Sequence, residues 1–322
     1  MDVSQIIDGM QIDWSPDGTR VVFASMADRT NLPNDVLYIM DADGTGLREL
    51  AYWCYEPRWS PNGDLILCTH GGRIYVLDPN QDYTEDTNKF FSSSLQLPGG
   101  WRSSWMGHWA WSPTGKEIAI SLDSGIYIIN PDSSSPRCVV EDSIEDNMWI
   151  SWSPDSCWIV YYDGEIKAAN VVDRSQRIIA QRGGWPSWSL TTNKIAYFVS
   201  DRFRRFDDTQ TLPTEIRIYD FETDKTQSID MDKIEVNHNV ICPLVWSPDS
   251  RELAFEATKL RLFRKSSTHV YILNIETKNL MQLSDGSHAS DASIRWSPDG
   301  SQIALCSTAD FRTRIYSVRG TQ

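Results

Sequence analysis

Short runs of β-branched, aromatic and other apolar residues recur along the chain in pairs, with turn-forming residues between them. The runs at residues 20–24 and 36–40 form one pair, and those at residues 252–255 and 270–273 form another. Runs of this length and composition, bounded by turn residues, predict β-strands. No segment shows helical periodicity over a useful length. The pattern therefore predicts an all-β chain made of many short strands.

A Trp-Ser-Pro motif followed by an Asp-Gly-like turn precedes each pair of runs. Six good copies and one degraded copy are present, and their tryptophans are Trp14, Trp59, Trp111, Trp152, Trp188 (the degraded copy), Trp246 and Trp296. Proline supplies the φ angle of a turn, and glycine accepts a left-handed backbone. The tryptophans are 36 to 58 residues apart, a period typical of propeller blades. We therefore predict an all-β, seven-bladed propeller with four-stranded blades, each repeat Trp ending an innermost strand.

The two ends of the chain are predicted to share a blade. The last repeat stops after its third strand at residue 318, and residues 2–8 resemble the fourth-strand segments of other blades. We expect this N-terminal strand to complete blade seven and to close the ring, which removes exposed sheet edges. One domain would then span residues 1–322, with blades at about 9–51, 52–98, 99–141, 142–181, 182–231, 232–284 and 285–322.

The Trp-Ser-Pro-Asp-Gly repeats resemble those of TolB-type propellers, which also form the propeller domains of the prolyl oligopeptidase and dipeptidyl peptidase families. The resemblance covers nearly the whole chain and implies a binding scaffold. TolB carries an α/β domain before a six-bladed propeller, whereas here we predict seven blades and no such domain. The chain also has no Gly-x-Ser-x-Gly nucleophile elbow. The resemblance therefore implies neither relative's specific activity, because propellers host many unrelated functions.

Composition narrows the classes of partner and location. The formal net charge is −14, which disfavours binding to nucleic acid over most of the surface. No apolar run is long enough for a membrane span. Residues 1–5 do not resemble a secretory signal, so we expect a cytoplasmic protein, or a periplasmic or secreted one if a signal was removed. We expect no cofactor, no bound metal and reduced cysteines, since none of the six Cys forms a Cys-x-x-Cys pair.

Seven tryptophans lie outside the repeat motif, and six of them fall in segments that join one blade to the next. Those segments converge around the axial channel on one face of a propeller. We predict an aromatic-lined channel mouth with polar groups at its edge, formed by Trp53, Glu56, Trp105, His108, Asp146, Trp149 and Trp185. Such a surface suits a sugar, a peptide or a cationic group over the rings. Alternatively, these tryptophans fill space between blades, which we favour for Trp109 and Trp158.

A second candidate surface lies in the loops between the second and third strands of blades five to seven. Basic residues alternate there with phenylalanine, a composition common in protein interfaces. The predicted partner-binding residues are Arg202, Phe203, Arg204, Arg205, Lys259, Arg261, Arg264, Lys265 and Arg312. The alternative is that these charges only keep long loops solvated.

The sequence favours a non-catalytic scaffold that recognises a protein or peptide on the channel-mouth face, with no nucleic acid and no membrane partner. The alternative is a glycan-binding or small-molecule-binding propeller, or a lyase-like or hydrolase-like enzyme. An enzyme would need Glu56, His108 and Asp146 as its acid and base groups. A metal site using His238 and His288, as in propeller-type pectate-fragment lyases, would belong to that alternative, although loop histidines in solvent are favoured.

Overall fold

Seven antiparallel sheets follow one another along the chain and form the blades of a β-propeller, as predicted. The computed structural model describes residues 3–25, 36–84, 87–96, 109–122, 124–141, 149–200, 213–231, 239–240, 244–259, 267–284, 293–307 and 312–318. In each blade the strand that carries the repeat Trp is innermost, and the following strands pair in chain order towards the outside. Successive blades pack face to face through buried apolar clusters.

The first strand, β1 (Val3–Ile7), belongs to blade seven. Blade one consists of β2 (Met10–Trp14), β3 (Arg20–Ser25), β4 (Val36–Asp41) and β5 (Arg48–Tyr52). Blade two has β6 (Tyr55–Trp59), β7 (Ile66–His70) and β8 (Arg73–Leu77), followed by helix α1 (Thr87–Ser92). Blade three has β9 (Trp109–Trp111), β10 (Ile118–Leu122), β11 (Gly125–Ile129) and β12 (Arg137–Val140).

The remaining blades follow the same order. Blade four has β13 (Ile150–Trp152), β14 (Trp158–Tyr162), β15 (Ile166–Asn170) and β16 (Gln176–Ala180). Blade five has β17 (Gly184–Trp188), β18 (Lys194–Val199), β19 (Glu215–Asp220) and β20 (Lys225–Asp230). Blade six has β21 (Asn239–Val240), β22 (Val245–Trp246), β23 (Glu252–Lys259), β24 (Ser267–Asn274) and β25 (Leu280–Gln282). Blade seven has β26 (Ile294–Trp296), β27 (Gln302–Ser307) and β28 (Arg312–Ser317).

The N-terminal strand closes the ring, which confirms the predicted closure. Strand β1 pairs antiparallel with β28, and Ile6 lies opposite Arg314. Two side-chain bonds reinforce the junction: Ser4 Oγ donates to the Ile315 carbonyl at 2.9 Å, and Thr313 Oγ1 donates to the Gly9 carbonyl at 2.7 Å. Blade seven is therefore completed by the other end of the chain.

The hydroxyl group of the repeat serine holds the turn of the motif through hydrogen bonds. Ser15 Oγ donates to Asp17 Oδ1 at 2.6 Å and accepts from the Arg20 amide at 2.9 Å. The equivalent serines accept the same main-chain bond five residues on: Ser60, Ser112, Ser153, Ser247 and Ser297. The hydroxyl thus fixes the turn that joins the first and second strands of each of these blades.

The repeat Trp links each blade to the one before it. Four of the repeat indoles donate their Nε1–H to the carbonyl of the residue before the preceding blade's repeat Trp. These bonds run from Trp111 to Arg58, Trp152 to Ala110, Trp246 to Ser187 and Trp296 to Val245, at 3.0 to 3.4 Å. The innermost strands are therefore joined directly, as well as through their apolar faces.

Two blades depart from the regular plan. In blade two, the fourth position holds an isolated bridge between Tyr75 and Ser94, preceded by α1. The buried Phe90 ring of α1 stacks on Tyr75 with ring centroids 4.4 Å apart. In blade six, the innermost position is divided between β21 and β22, which both pair with β23. The helix was not predicted from the sequence.

Within the described ranges the cysteines are free thiols, namely Cys54, Cys68, Cys138, Cys157 and Cys306. The buried Sγ atoms of Cys54 and Cys68 are in contact at 2.7 Å. Among the residues that the structure describes, no helix is long and apolar enough to cross a membrane.

Candidate functional site: the axial channel and its mouth

The innermost strands line the axial channel, and each runs from the mouth face towards its Trp-Ser-Pro turn on the opposite face. Within the described ranges, three of them have a left-handed, non-glycine residue three positions before the repeat Trp. These residues are Gln11 (φ 54°), Glu56 (φ 52°) and Trp185 (φ 51°). Each falls at an irregularity in the pairing with the second strand. A left-handed backbone is costly for these residues, and such bulges often re-aim side chains near functional sites.

Hydrogen bonds join the irregular inner strands of blades one and two. The Glu56 amide donates to Gln11 Oε1 at 2.8 Å, and the Trp59 amide donates to Asp13 Oδ2 at 2.7 Å. Blades four and five have one similar bond, in which the Trp188 amide donates to Ser151 Oγ at 3.0 Å. Side chains of one inner strand thus satisfy the free amides of the next.

Among the described residues of the predicted mouth, Trp53 is the most exposed aromatic residue. It is 42 % exposed and has a left-handed backbone (φ 60°). Its ring centroid lies 5.9 Å from that of Tyr52 and 6.2 Å from that of His70. The His70 ring in turn contacts Phe90, with centroids 6.0 Å apart. A partly buried aromatic cluster therefore supports one exposed indole.

Trp149 and Trp185, the other described tryptophans of the predicted mouth, are only half-buried. Trp185 packs on the apolar cluster between blades five and six and lies edge-on to Phe198, with centroids 6.2 Å apart. Trp109 and Trp158, for which we favoured core packing, lie against apolar clusters as well. The indole of Trp185 thus combines core packing with partial exposure.

Several residues of the predicted mouth lie outside the described residues, namely Trp105, His108 and Asp146. Of the predicted acid and base residues, the structure therefore describes Glu56. His238 and His288 lie outside as well. Within the described ranges, no group of three or more His, Cys, Asp and Glu side chains could hold a metal ion.

The second predicted surface is described at two positions. Lys259 ends β23, and Arg312 begins β28. Arg312 Nε lies 2.7 Å from Asp8 Oδ1 in an exposed ion pair, so this arginine ties the N-terminal segment to blade seven. The other members lie outside the described residues: Arg202, Phe203, Arg204, Arg205, Arg261, Arg264 and Lys265.

A charged group in the channel wall was missed by the sequence reasoning. The residue immediately before the repeat Trp is charged in three consecutive blades: Arg295 in blade seven, Asp13 in blade one and Arg58 in blade two. Asp13 Oδ1 lies 3.6 Å from Arg295 Nε. Burial raises the pKa of Asp13 to about 6, although the Arg58 charge and main-chain amides act in the opposite direction. The signal in the sequence was the shared position of these three charged residues, one residue before a repeat Trp.

A polar cleft of about 330 Å³ lies elsewhere, on the face opposite the mouth. It is formed by turns of blades four and five, and its lining residues are Pro154, Asp155, Thr191, Thr192, Asn193, Lys194, Asp220 and Glu222. Asn193 Nδ2 donates to Glu222 Oε1 across it at 2.7 Å. None of the predicted site residues lines this cleft.

Comparison with known proteins shows the fold alone. No protein-family model matches the sequence, and no curated protein matches it. An oligogalacturonate lyase from Vibrio parahaemolyticus is similar with a TM-score of 0.72 and 12 % identity, over 98 % of this chain and 92 % of that one. A chain in a crystal structure of a mitotic checkpoint complex is similar with a TM-score of 0.66 and 14 % identity, over 98 % and 94 %.

A structure described as a putative TolB from Agrobacterium tumefaciens is also similar. Its TM-score is 0.52 at 18 % identity, over 84 % of this chain and 94 % of that one. Propellers similar to this chain thus include a component of a protein complex, an enzyme and a TolB-like protein. At these identities the likenesses define the class of protein, a seven-bladed β-propeller, and no narrower one.

Proposed function

We propose that this propeller is a non-catalytic scaffold that binds a protein or peptide at the channel mouth, with Trp53 as a central contact. The exposed Trp53 indole, supported by Tyr52 and His70, is the observation that carries the proposal. Exposed tryptophans are rare on folded surfaces and are enriched among residues that dominate binding energy. The similar propeller in a mitotic checkpoint complex is consistent with this role.

The mouth also favours a particular kind of peptide. Glu56 lies three residues from Trp53 at the same blade, so a carboxylate and an indole face lie close together in the chain. An aromatic ring beside a carboxylate suits a basic side chain, through a cation–π contact and an ion pair. We therefore propose a peptide with an exposed Lys or Arg as the preferred ligand of this surface.

Selection from a random peptide display library tests the proposal. Peptides selected on the wild-type protein should lose at least about tenfold in affinity for Trp53→Ala, because truncated hot-spot residues commonly cost 2 kcal/mol or more. Leu190→Ala is the matched control, since Leu190 is 58 % exposed on the face opposite the mouth. Equal binding by Trp53→Ala and the wild type, or equal losses in both variants, would contradict the proposal.

A glycan is the second candidate ligand, because an exposed indole also stacks on sugar rings. A glycan array probed with the wild type and with Trp53→Ala separates the two. Glycan binding that depends on Trp53, in a protein that selects no Trp53-dependent peptides, would replace peptide recognition with glycan recognition.

A further inference from the structure

The channel wall carries an uneven ring of charge one residue before the repeat tryptophans. All seven positions of this ring are described. We call Arg295, Asp13 and Arg58 the charged arc; the other four positions are uncharged, namely Ala110, Ser151, Ser187 and Val245. The ring therefore has a net charge of one positive unit when Asp13 is ionised and two when it is protonated. This local excess lies in a chain whose formal net charge is −14.

Asp13 does not occupy all the N–H donors of the Arg58 and Arg295 guanidinium groups. One of its oxygens accepts the Trp59 amide at 2.7 Å, and the other lies 3.6 Å from Arg295 Nε, longer than a good hydrogen bond. Arg58 Nη1 donates to the Pro57 carbonyl at 2.9 Å, and Arg295 Nη1 donates to the Ile294 carbonyl at 2.7 Å. Since a guanidinium carries five N–H donors, these contacts within the described residues use a minority of them.

The surroundings of the charged arc favour binding of an anion over binding of water. The Arg295 side chain is 23 % exposed and that of Asp13 is 18 % exposed, so these charges sit partly out of solvent, where ionic contacts are stronger than at the surface. The raised pKa of Asp13 reports the same poor solvation. A positive patch within a concave, low-dielectric wall concentrates anions.

We propose that the charged arc is a carboxylate-binding site, in which Arg58 and Arg295 hold an anionic group that enters the channel. Guanidinium groups match carboxylates through paired N–H donors, which makes arginine the preferred partner for this chemistry. The carboxylate would come from a free organic acid or from an acidic residue of a peptide. This site is argued from the channel wall and stands independently of the Trp53 surface.

Calorimetric titration with two probes tests the site and separates the sources. The probes are succinate and an end-blocked peptide, Gly-Gly-Asp-Gly-Gly-Asp, with the matching Asn peptide and succinamide as uncharged counterparts. The wild type should bind at least one carboxylate probe and neither uncharged counterpart. Succinate binding alone identifies a free organic acid, and peptide binding alone identifies an acidic segment. Binding of neither carboxylate probe overturns the proposal.

Paired variants assign the binding to the arc. Arg58→Gln/Arg295→Gln should weaken binding at least tenfold. Arg174→Gln/Arg251→Gln, which removes the same charge from exposed turns of blades four and six, should leave it within about twofold; an equal loss in both pairs would overturn the proposal. Should the arc variant fail to fold, Asp13→Asn gives the test, because removing the negative charge should tighten binding severalfold at pH 7. Unchanged or weaker binding by Asp13→Asn would also overturn it.

Discussion

The repeat serines are buried, and in five of the blades two hydrogen bonds of the hydroxyl hold the turn between the first and second strands. Ser297 is typical: its Oγ donates to Asp299 Oδ1 at 2.6 Å and accepts the Gln302 amide at 2.9 Å. The hydroxyl also holds the pKa of Asp299 below its usual range, because the hydrogen bond favours the ionised carboxylate. A single residue thus connects a sequence motif to a strand pairing.

Ser297→Ala should lower the free energy of unfolding by about 1–3 kcal/mol, because the buried Gln302 amide loses its side-chain acceptor. Chemical unfolding in urea measures this. Ser301→Ala is the control, since Ser301 Oγ also donates to Asp299 but on the exposed side of the turn; it should cost about 0.5 kcal/mol or less. Equal costs for both variants would mean that the buried hydroxyl has no special role.

Asp13 gives a pH-dependent prediction at the same scale. Its pKa in the folded protein is about 6, above the ordinary value of 3.8, so the folded state holds this proton more tightly than the unfolded state. Its contribution to stability is therefore complete below about pH 4 and is lost as the pH rises through 6. The upper limit is about 3 kcal/mol, since one pKa unit corresponds to 1.36 kcal/mol, and the residual exposure of the carboxyl reduces it.

Asp13→Asn should remove the loss of stability above pH 6. The asparagine side-chain oxygen can still accept the bond from the Trp59 main-chain amide, and it carries no charge. The variant and the wild type should have similar unfolding free energies at pH 4, and the variant should be more stable at pH 7. Thermal unfolding at a series of pH values measures the difference. A wild type that gains stability relative to the variant between pH 4 and 7 would contradict the raised pKa.

At the level of elements, most strands could be predicted because they follow each repeat Trp in the same order and have the composition of strands. Helix α1 could not, because its six residues carry no periodic pattern and its formation depends on a tertiary contact. That contact is the buried Phe90 ring on Tyr75. The divided inner strand of blade six, β21 and β22, likewise leaves no mark in the sequence.

Phe90→Ala should cost about 3–5 kcal/mol of unfolding free energy, because it removes a buried ring and leaves a cavity against Tyr75. Ser92→Ala on the same helix is the control, since Ser92 is exposed; it should change stability by less than about 0.5 kcal/mol. Urea unfolding of both variants decides. A small cost for Phe90→Ala would mean that α1 is not part of the blade-two core.

The candidate site shows where sequence reasoning reached its limit. Trp53 was predicted because an extra Trp in a connecting segment stands out. Asp13, Arg58 and Arg295 occupy an offset that holds Ala, Ser or Val in other blades, so no residue type marks it. Their convergence depends on the ring, because Arg295 and Asp13 are adjacent only when the last blade packs against the first.

Ring closure is therefore the property on which the whole molecule depends. Strand β1 covers the edge of β28, and its removal would leave an open edge that favours association with other chains. It would also release blade seven from blade one, where the charged arc forms. A closed ring should unfold in one cooperative transition, because each blade is held by two neighbours.

Deleting residues 2–8 should consequently lower the melting temperature by at least about 5 °C and either broaden the transition or produce concentration-dependent oligomers. Calorimetry and size-exclusion chromatography measure these effects. Ile6→Ser is the matched control, since Ile6 lies on β1 with its side chain 54 % exposed; this variant keeps the strand and should stay monomeric with a nearly unchanged melting temperature. A truncated chain that remains monomeric and as stable as the control would show that blade seven does not need its N-terminal strand.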